Sequence, residues 1–512
     1  MAPTTIWPTV ADGLHSPYAT PYGPAIFLCL DDEHMDQYAL YARLYPCYPA
    51  LDCHTAHQPH RTALIPYTKG MILRAARLYP YHWLIAAIAV LVALHIAILP
   101  VAPPGFYVDE AASGAHAIAL AHHGTDAHSQ PWPLFTASLG GGYTTPVYLY
   151  PLAIWTLVFG PSELSLRSFS LCMTLIACAF LGLATRRLVG STRSGLIASA
   201  VALALPWGWL QGSLAWDPAL VPFFVTLSLW MLAILLTTAN RRAYMTAATL
   251  LPLTLVALAY VYPPCRVTAP LLVLGYYALL YWRRRVSWRH LAAVAVAGLV
   301  LVAPLASFMF QPDALGRSQA LSVFHGRGVL GGLGQFFINL LSLVNPVFLF
   351  VTGDANLRHS TGIQGMLGLA AIIPLGVLAW TALRSRGWHI LGRALTPLRT
   401  IALIGLLGVV AGLLGSALTA EGQPHSLRAT AAWPFFALLI TIGWRYVLRA
   451  PRAVRRTALV IAMFSVVLYA TDLAFLYPRR AADSFDSAQR QAIAAHAPVD
   501  YPELALDYYR WR

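Results

Sequence analysis

Residues 103–126 read PPGFYVDEAASGAHAIALAHHGTD and follow directly on an apolar run at 83–100. Asp109 and Glu110 are the first acids for more than fifty residues. Adjacent carboxylates just beyond a membrane-length apolar run are costly to place and need a reason. The pattern predicts a short helix from about Asp109 to His123, stopped by Gly124. A helix N-terminus favours an ionised carboxylate, so Asp109 is expected to be charged and able to accept a proton. Spacing alone leaves a second reading equally open, in which Asp109 only caps that helix.

The chain around this stretch has 512 residues, 58% hydrophobic and 11% charged, with a mean hydropathy of +0.61. Soluble domains run near 25% charged, so an integral membrane protein is expected. A formal charge of +14 would suit a nucleic-acid binder, but the placement of the charges excludes that partner. Lysine occurs once, at Lys69, and the arginines form small clusters between apolar runs. That is the positive-inside pattern. Eleven spanning helices are predicted, at 83–100, 164–185, 195–214, 218–237, 244–262, 266–282, 290–310, 363–383, 399–419, 429–447 and 457–476. The run 146–159 is short and interrupted by Pro146 and Pro151, and is expected to lie in the interface.

This assignment separates the charges. The loops near 186–193, 238–243, 283–289, 384–399 and 445–456 hold eighteen arginines and no acid. The opposite side receives all nine acids between residues 83 and 477: Asp109, Glu110, Asp126, Glu163, Asp217, Asp313, Asp354, Glu421 and Asp472. It also receives six arginines: Arg167, Arg266, Arg317, Arg327, Arg358 and Arg428. The acidic face is therefore expected outside, periplasmic in a bacterium, in an inner or plasma membrane. Two outer loops are long, 101–163 and 311–362, and the apolar segment 333–352 is expected to lie along the interface. Residues 478–512 read as a short polar outer tail.

Residues 1–70 differ from the remainder, with many Pro, His and Tyr, six acids and no long apolar run. Met71 opens a short basic segment followed by a span, as a natural start would. Residues 1–70 are expected to be a poorly ordered or mis-assigned extension, and 71–477 the membrane domain. His54, His57 and His60 near Cys53 fit no standard metal spacing, and the six cysteines show no metal or disulfide pattern.

Four further outer turns carry polar groups. Asp217 lies in GSLAWDPALVPFF, either as a functional carboxylate or as a cap for a helix with Pro218 at its first position. YVYPPCRV (260–267) supplies Tyr260, Tyr262 and Arg266; GDANLRHS (353–360) supplies Asp354, Arg358 and His359; EGQPHSLR (421–428) supplies Glu421, His425 and Arg428. Arginine is the residue expected where phosphate oxygens are gripped bidentately, but taken singly each reads more readily as a snorkelling anchor or an ion-pair partner, and it is the four turns together that weaken that reading.

In order, DE after the first span, WDP, YPPCR, GDANLRHS and PHSLR resemble the polyprenyl-phosphate-sugar-dependent membrane glycosyltransferases of the C-type fold. That group includes the protein O-mannosyltransferase-like and lipid A aminoarabinose transferase-like proteins. The resemblance covers about residues 80–477 and implies an all-α polytopic fold with interfacial helices in the two long outer loops. It implies Asp109 as the catalytic carboxylate, Glu110 as its neighbour and Asp217 as the acid of the second outer turn. Arg266, Arg358 and Arg428 would face the lipid-linked phosphate, with Tyr262, His359 and His425 beside them. The implied reaction moves a sugar from a polyprenyl phosphate to a hydroxyl of a lipid, glycan or protein acceptor, with inversion. No organic cofactor is implied; the leaving phosphate would be served either by arginine or by a divalent ion held by Asp109, Glu110 and Asp217. The chain lacks the large soluble C-terminal domain of some relatives. Its first loop reads TTPVYLY at 144–150 where some relatives have Lys–Pro–Pro, so an aminoarabinose substrate is not implied.

Two rival classes predict other patterns. A transporter or flippase places ionisable groups near the bilayer midplane or on broken helices, whereas these acids crowd one face. A non-catalytic assembly protein requires no convergence of Asp109, Asp217 and Arg358.

Overall fold

The computed structural model describes residues 81–384 and 397–512. The expected disordered extension at 1–70 and most of the arginine-bearing loop at 384–399 lie outside these residues. Among the described residues the regular structure is helical apart from two-residue strands β1 (Thr136–Ala137) and β2 (Tyr143–Thr144), paired antiparallel. In chain order the first helices are α1 (His82–Ile98), α2 (Val108–His123), α3 (Pro146–Phe159), α4 (Glu163–Val189), α5 (Thr192–Ala204), α6 (Pro206–Gln211) and α7 (Val221–Thr237). Next come α8 (Arg241–Val261), α9 (Cys265–Trp282), α10 (Trp288–Met309), α11 (Pro312–Ala320) and α12 (Gly328–Leu343). The last are α13 (Ile372–Arg384), α14 (Pro397–Ala417), α15 (Trp433–Val447), α16 (Arg452–Thr471), α17 (Tyr477–Arg480), α18 (Ser487–Ala494) and α19 (Glu503–Trp511).

Local sequence explains many of the ends. Ser162, Ser191, Asn240 and Ser287 each accept a hydrogen bond from a first-turn amide, as good N-caps do. Gly124 and Gly190 close α2 and α4 in the left-handed region, at φ 67° and 75°. The expected span 195–214 is broken instead at Leu205, whose extended ψ of 129° is what a following proline demands. The buried α6 then carries Trp207 and Trp209 into the core, where their indole N–H groups donate to Ser426 O and Leu203 O.

All eleven expected spans carry a helix. Seven stretches are long and apolar enough to cross a membrane by length and composition. Six of them are expected spans; the seventh, Gly328–Val351, is the segment expected along the interface. Its tethers favour the interface. Val323 N, just before it, donates to Leu418 O; Asn339, in its middle, donates to Ala417 O and Thr419 O; and Asp354, just after it, accepts from Ser426 N. A 24-residue helical path is about 36 Å long. It cannot cross a bilayer while its start, middle and end all bind residues 417–426.

One expected span starts late. Residues 363–368 form a loop, and helix begins only with the short turn Leu369–Ala371. Gln364 accounts for this: it is buried, donates to Ser465 O and accepts from Ser465 Oγ, which fixes the chain in an irregular path. The run 146–159 forms α3, only about 21 Å long, with Ile154, Leu157, Val158 and Phe159 exposed.

The polarity of the molecule is inverted where a bilayer would lie. Val296, Leu299 and Val300 on α10 are more than 60% exposed, and of that helix only Leu305 and Phe308 are buried. Apolar exposure on this scale requires a lipid surround. Helices α4, α7, α8, α14 and α15 pack inside, and the loops between their ends bring the acids to one face. With that face outside, cysteine at exposed His123 should react with an impermeant maleimide added to intact cells, and cysteine at exposed Arg284 should not. The reverse pattern would invert the orientation. Asp126 is a poor reporter, because it is buried and accepts from His128 N and Gln130 N.

Candidate active site

Asp109 is the second residue of α2, and the capping work there is done by others. Glu110 accepts from Tyr107 N (3.2 Å), and Asp486, far along the chain, accepts from Val108 N (2.9 Å). Among the described residues no hydrogen bond is made to the Asp109 carboxylate. This removes the capping reading and leaves the carboxylate free to meet a ligand. Burial pushes its titration point up, opposed by the cations Arg358 and Arg317, while Asp486 and Glu110 add to the rise. The helix terminus alone predicts the opposite direction, so desolvation outweighs the dipole here.

Glu110, the next residue, points into the protein and is completely buried. Arg167 on α4 grips it with two hydrogen bonds, Nε to Oε1 at 2.9 Å and Nη2 to Oε2 at 2.8 Å. Arg167 also donates to Pro103 O and Gly105 O, and Glu110 Oε1 accepts from Ala215 N. Every strong partner of this buried pair is thereby satisfied, which is the condition under which such a pair is tolerated. The pair joins the segment before α2, the body of α4 and the turn that ends at Asp217. It sets the placement of Asp109 relative to Asp217.

Asp217 opens the short turn Asp217–Leu220 that leads into α7, and faces the charges of Asp109, Arg266 and Arg317. Arg266, at the start of α9, has a buried Nε without a hydrogen-bond partner among the described residues. Tyr262 lies among Arg428, Asp217 and Arg317. Arg358 stacks over the Tyr107 ring, 4.3 Å from its centroid, and its Nε reaches Asn356 Oδ1 at 3.3 Å. Arg428 donates to Glu421 Oε2, Glu421 O and Thr419 Oγ1. Glu421 is itself 67% exposed, so this clasp faces solvent.

Behind Arg358 and Arg428 lies a buried cluster of Asp354, His359 and His425. Asp354 Oδ2 accepts from His359 Nδ1 (3.0 Å), Ser426 N (2.8 Å) and Ser426 Oγ (3.1 Å). Burial opposes it, but these bonds hold the Asp354 carboxyl below its ordinary range. The imidazoles of His359 and His425 stack with centroids 4.5 Å apart. Burial, with His359 and Arg428 beside it, pushes His425 down to about 2, so its ring is neutral at pH 7.

Donor atoms of Asp354, His359 and His425 lie within 4.8 Å of one another, close enough for one ion. Asp109, Glu110 and Asp217, the set predicted from sequence to hold a metal, form no such group among the described residues, because Glu110 is turned inward to Arg167. Nor does the observed trio make an inviting cation cage. Asp354 is saturated with donors, and Arg358 and Arg428 both act on His425. The cluster ties together the two turns that carry Arg358 and Arg428, through Asp354 bonded to both His359 and Ser426.

The sequence matches no known protein family, and no curated protein matches it. Among solved structures it is similar to ArnT from Cupriavidus metallidurans bound to undecaprenyl phosphate. The TM-score is 0.51 at 14% identity, over 84% of this chain and 76% of that one. The chain has the C-type glycosyltransferase fold. The archaeal oligosaccharyltransferase AglB from Archaeoglobus fulgidus, in complex with an inhibitory peptide and a dolichol-phosphate, gives a TM-score of 0.44 at 14% identity, too slight a likeness to argue from. This chain covers 80% of itself but 56% of AglB in that comparison.

Within the C-type fold the site residues expected from sequence fall into two layers. Asp109 lies in the field of Arg358, Asp217 in those of Asp109 and Arg266, and Tyr262 in those of Arg428 and Asp217; His359 and His425 stack in the buried cluster, and Glu110 is turned inward to Arg167. Sequence reading did not single out Arg167, Arg317, Tyr107 or Asp486. Arg167 carried a usable signal, a lone arginine in the otherwise apolar helix of 164–185, which calls for a named partner. Asp486 carried none.

Proposed function

We propose that the protein is a membrane glycosyltransferase that moves a sugar from a polyprenyl-phosphate donor to an acceptor hydroxyl on the outer face, with inversion. The observation that carries this is the Asp109 carboxylate, which accepts no hydrogen bond among the described residues, stands next to the Glu110–Arg167 pair, and lies in the field of the Arg358 and Arg317 cations. An acceptor hydroxyl placed at Asp109 gives up its proton to the carboxylate as its oxygen bonds to the anomeric carbon. The bond from that carbon to the phosphate oxygen breaks on the opposite face, and the phosphate leaves with the electron pair. The transition state has oxocarbenium character, as in inverting glycosidases. The leaving group is already an anion, so a general acid is unnecessary. Arg266, Arg358 and Arg428 stabilise it instead. Asp217 adds a second carboxylate facing the same space, suited to hydrogen-bonding the sugar or the acceptor. A lipid tail would lie between spans with its phosphate at the interface.

The test is transfer from a radiolabelled polyprenyl-phosphate sugar in membranes containing the chain. Transfer that requires Asp109 supports the reading; no transfer from hexose and pentose donors alike would refute it. The arginines give a separate prediction. One charge-assisted hydrogen bond is worth about 1.5–3 kcal/mol. Arg358→Ala and Arg428→Ala should each weaken polyprenyl-phosphate binding about tenfold or more, read on protein in lipid nanodiscs. Unchanged affinity in both variants would make these residues structural anchors.

A further inference from the structure

The C-terminal segment, expected as a polar tail, packs against α2 and the start of α4. Tyr477, Phe485 and Tyr508 are completely buried. Tyr508 lies against Gly114 of α2, where a Cβ would come within 2.6 Å of its ring, and its hydroxyl donates to Pro161 O at 2.8 Å. Arg490 and Arg512 both bind Glu163 at the start of α4, each at 2.7 Å. Phe485 O approaches Gly105 so closely that a Cβ there would meet it at 2.2 Å, and Gly105 itself sits at φ +64°. These contacts deliver Asp486 to the first turn of α2. Asp486 takes the left-handed conformation, φ 51° and ψ 34°, which aspartate and asparagine adopt more readily than other side-chain-bearing residues. Its Oδ2 accepts from Val108 N at 2.9 Å and from Tyr501 Oη at 3.2 Å, and Tyr501 Oη also reaches Phe106 O.

We infer that Asp486 is a positioning residue for the reaction: the C-terminal segment uses it to fix the first turn of α2, and with it Asp109, opposite Arg358. The inference rests on the glycosyl-transfer reading for its catalytic half. Asp486 satisfies an amide one residue before Asp109 that the helix leaves without an internal partner. Its charge also stands beside Asp109. The groups that face Asp109 are Tyr107 just before α2, Glu110 on α2, Arg317 on α11, Arg358 in the loop after α12, Asp217 before α7, and Asp486. The anion at Asp486 adds to the rise in the titration point of Asp109. Removing that charge alone keeps Asp109 ionised to lower pH.

Two substitutions in the full chain separate the parts. Asp486→Asn keeps the backbone conformation and an acceptor for Val108 N, but removes the charge. Asp486→Gly removes the side chain, and glycine tolerates φ 51° without the strain that alanine would bring. In nanodiscs, hydrogen exchange over Val108–Ser113 should be about tenfold faster in Asp486→Gly and near wild type in Asp486→Asn. The Asn variant should move the acid limb of the kcat/KM profile to lower pH, raising the ratio of the rate at pH 5 to that at pH 8 about threefold or more. A merely structural role would not move that limb. Unchanged exchange in Asp486→Gly overturns the positioning claim, and a superimposable pH profile in Asp486→Asn overturns the electrostatic one. Absence of transfer in the unaltered chain defeats the proposed function and the catalytic half together, while the exchange measurement still decides whether Asp486 holds the helix.

Discussion

Asp109→Asn is expected to slow transfer by at least about 10²–10⁴-fold while leaving the amount of folded protein unchanged. Asparagine preserves the shape of the side chain and removes only the charge and the proton acceptor. No internal hydrogen bond to Asp109 is lost, so there is no structural route to a large effect. The first turn of α2 keeps its partners, since Asp486 and Glu110 hold Val108 N and Tyr107 N. The pH dependence follows from the same geometry. Burial raises the titration point of Asp109, so a reaction that needs the carboxylate should lose rate on acidification at a higher pH than an ordinary aspartate would impose. Transfer at the wild-type rate in membranes with equal expression would remove Asp109 as the base and, with it, the mechanism.

Arg167→Met is expected to be the most destabilising single change around Asp109, costing about 3–5 kcal/mol, because it leaves Glu110 as a buried charge without a counter-charge. Glu110→Gln should be severe for the mirror-image reason, with the Arg167 guanidinium left unneutralised. Replacing both by apolar residues should not restore stability. Pro103 O, Gly105 O, Ala215 N and Tyr107 N would all lose partners, and each buried group left unsatisfied costs about 1–3 kcal/mol. The measurement is the fraction surviving as a monodisperse species after heating in detergent. In Glu110→Gln the loss of transfer should follow the loss of folded protein, whereas Asp109→Asn should lose transfer at full folded yield. Wild-type heat resistance in Arg167→Met would show that the pair is not a brace.

Much was determined by the sequence alone, because it is a matter of composition and local pattern. A chain with 58% hydrophobic residues, and with every acid between residues 83 and 477 kept out of the loops that hold eighteen arginines, can be soluble only in a bilayer. Insertion physics then sets the spans and the segregation of charge. The helix Val108–His123 and its stop at Gly124 were equally legible, since a left-handed glycine terminus is encoded within a few residues. The gathering of acids and arginines in the turns at one end of the bundle follows from connectivity, once the spans are placed.

Only the tertiary structure decided the roles within that gathering. Asp109 and Glu110 are neighbours in sequence, and each residue turns a helix by about 100°. One carboxylate therefore faces Arg358 and Arg317 and the other the core. Which is which depends on Arg167, 57 positions away, and on the turn at Ala215. The same holds for residues 328–354, whose apolar composition permits a span until contacts with 417–426 lay it flat. It holds for Asp486, an unremarked acid in a polar tail until Tyr508, Arg490 and Arg512 dock that tail against α2 and α4. Hydrophobic pattern and charge fix which elements form and on which side they end; pairing between distant polar groups fixes which of two adjacent carboxylates is left free to react.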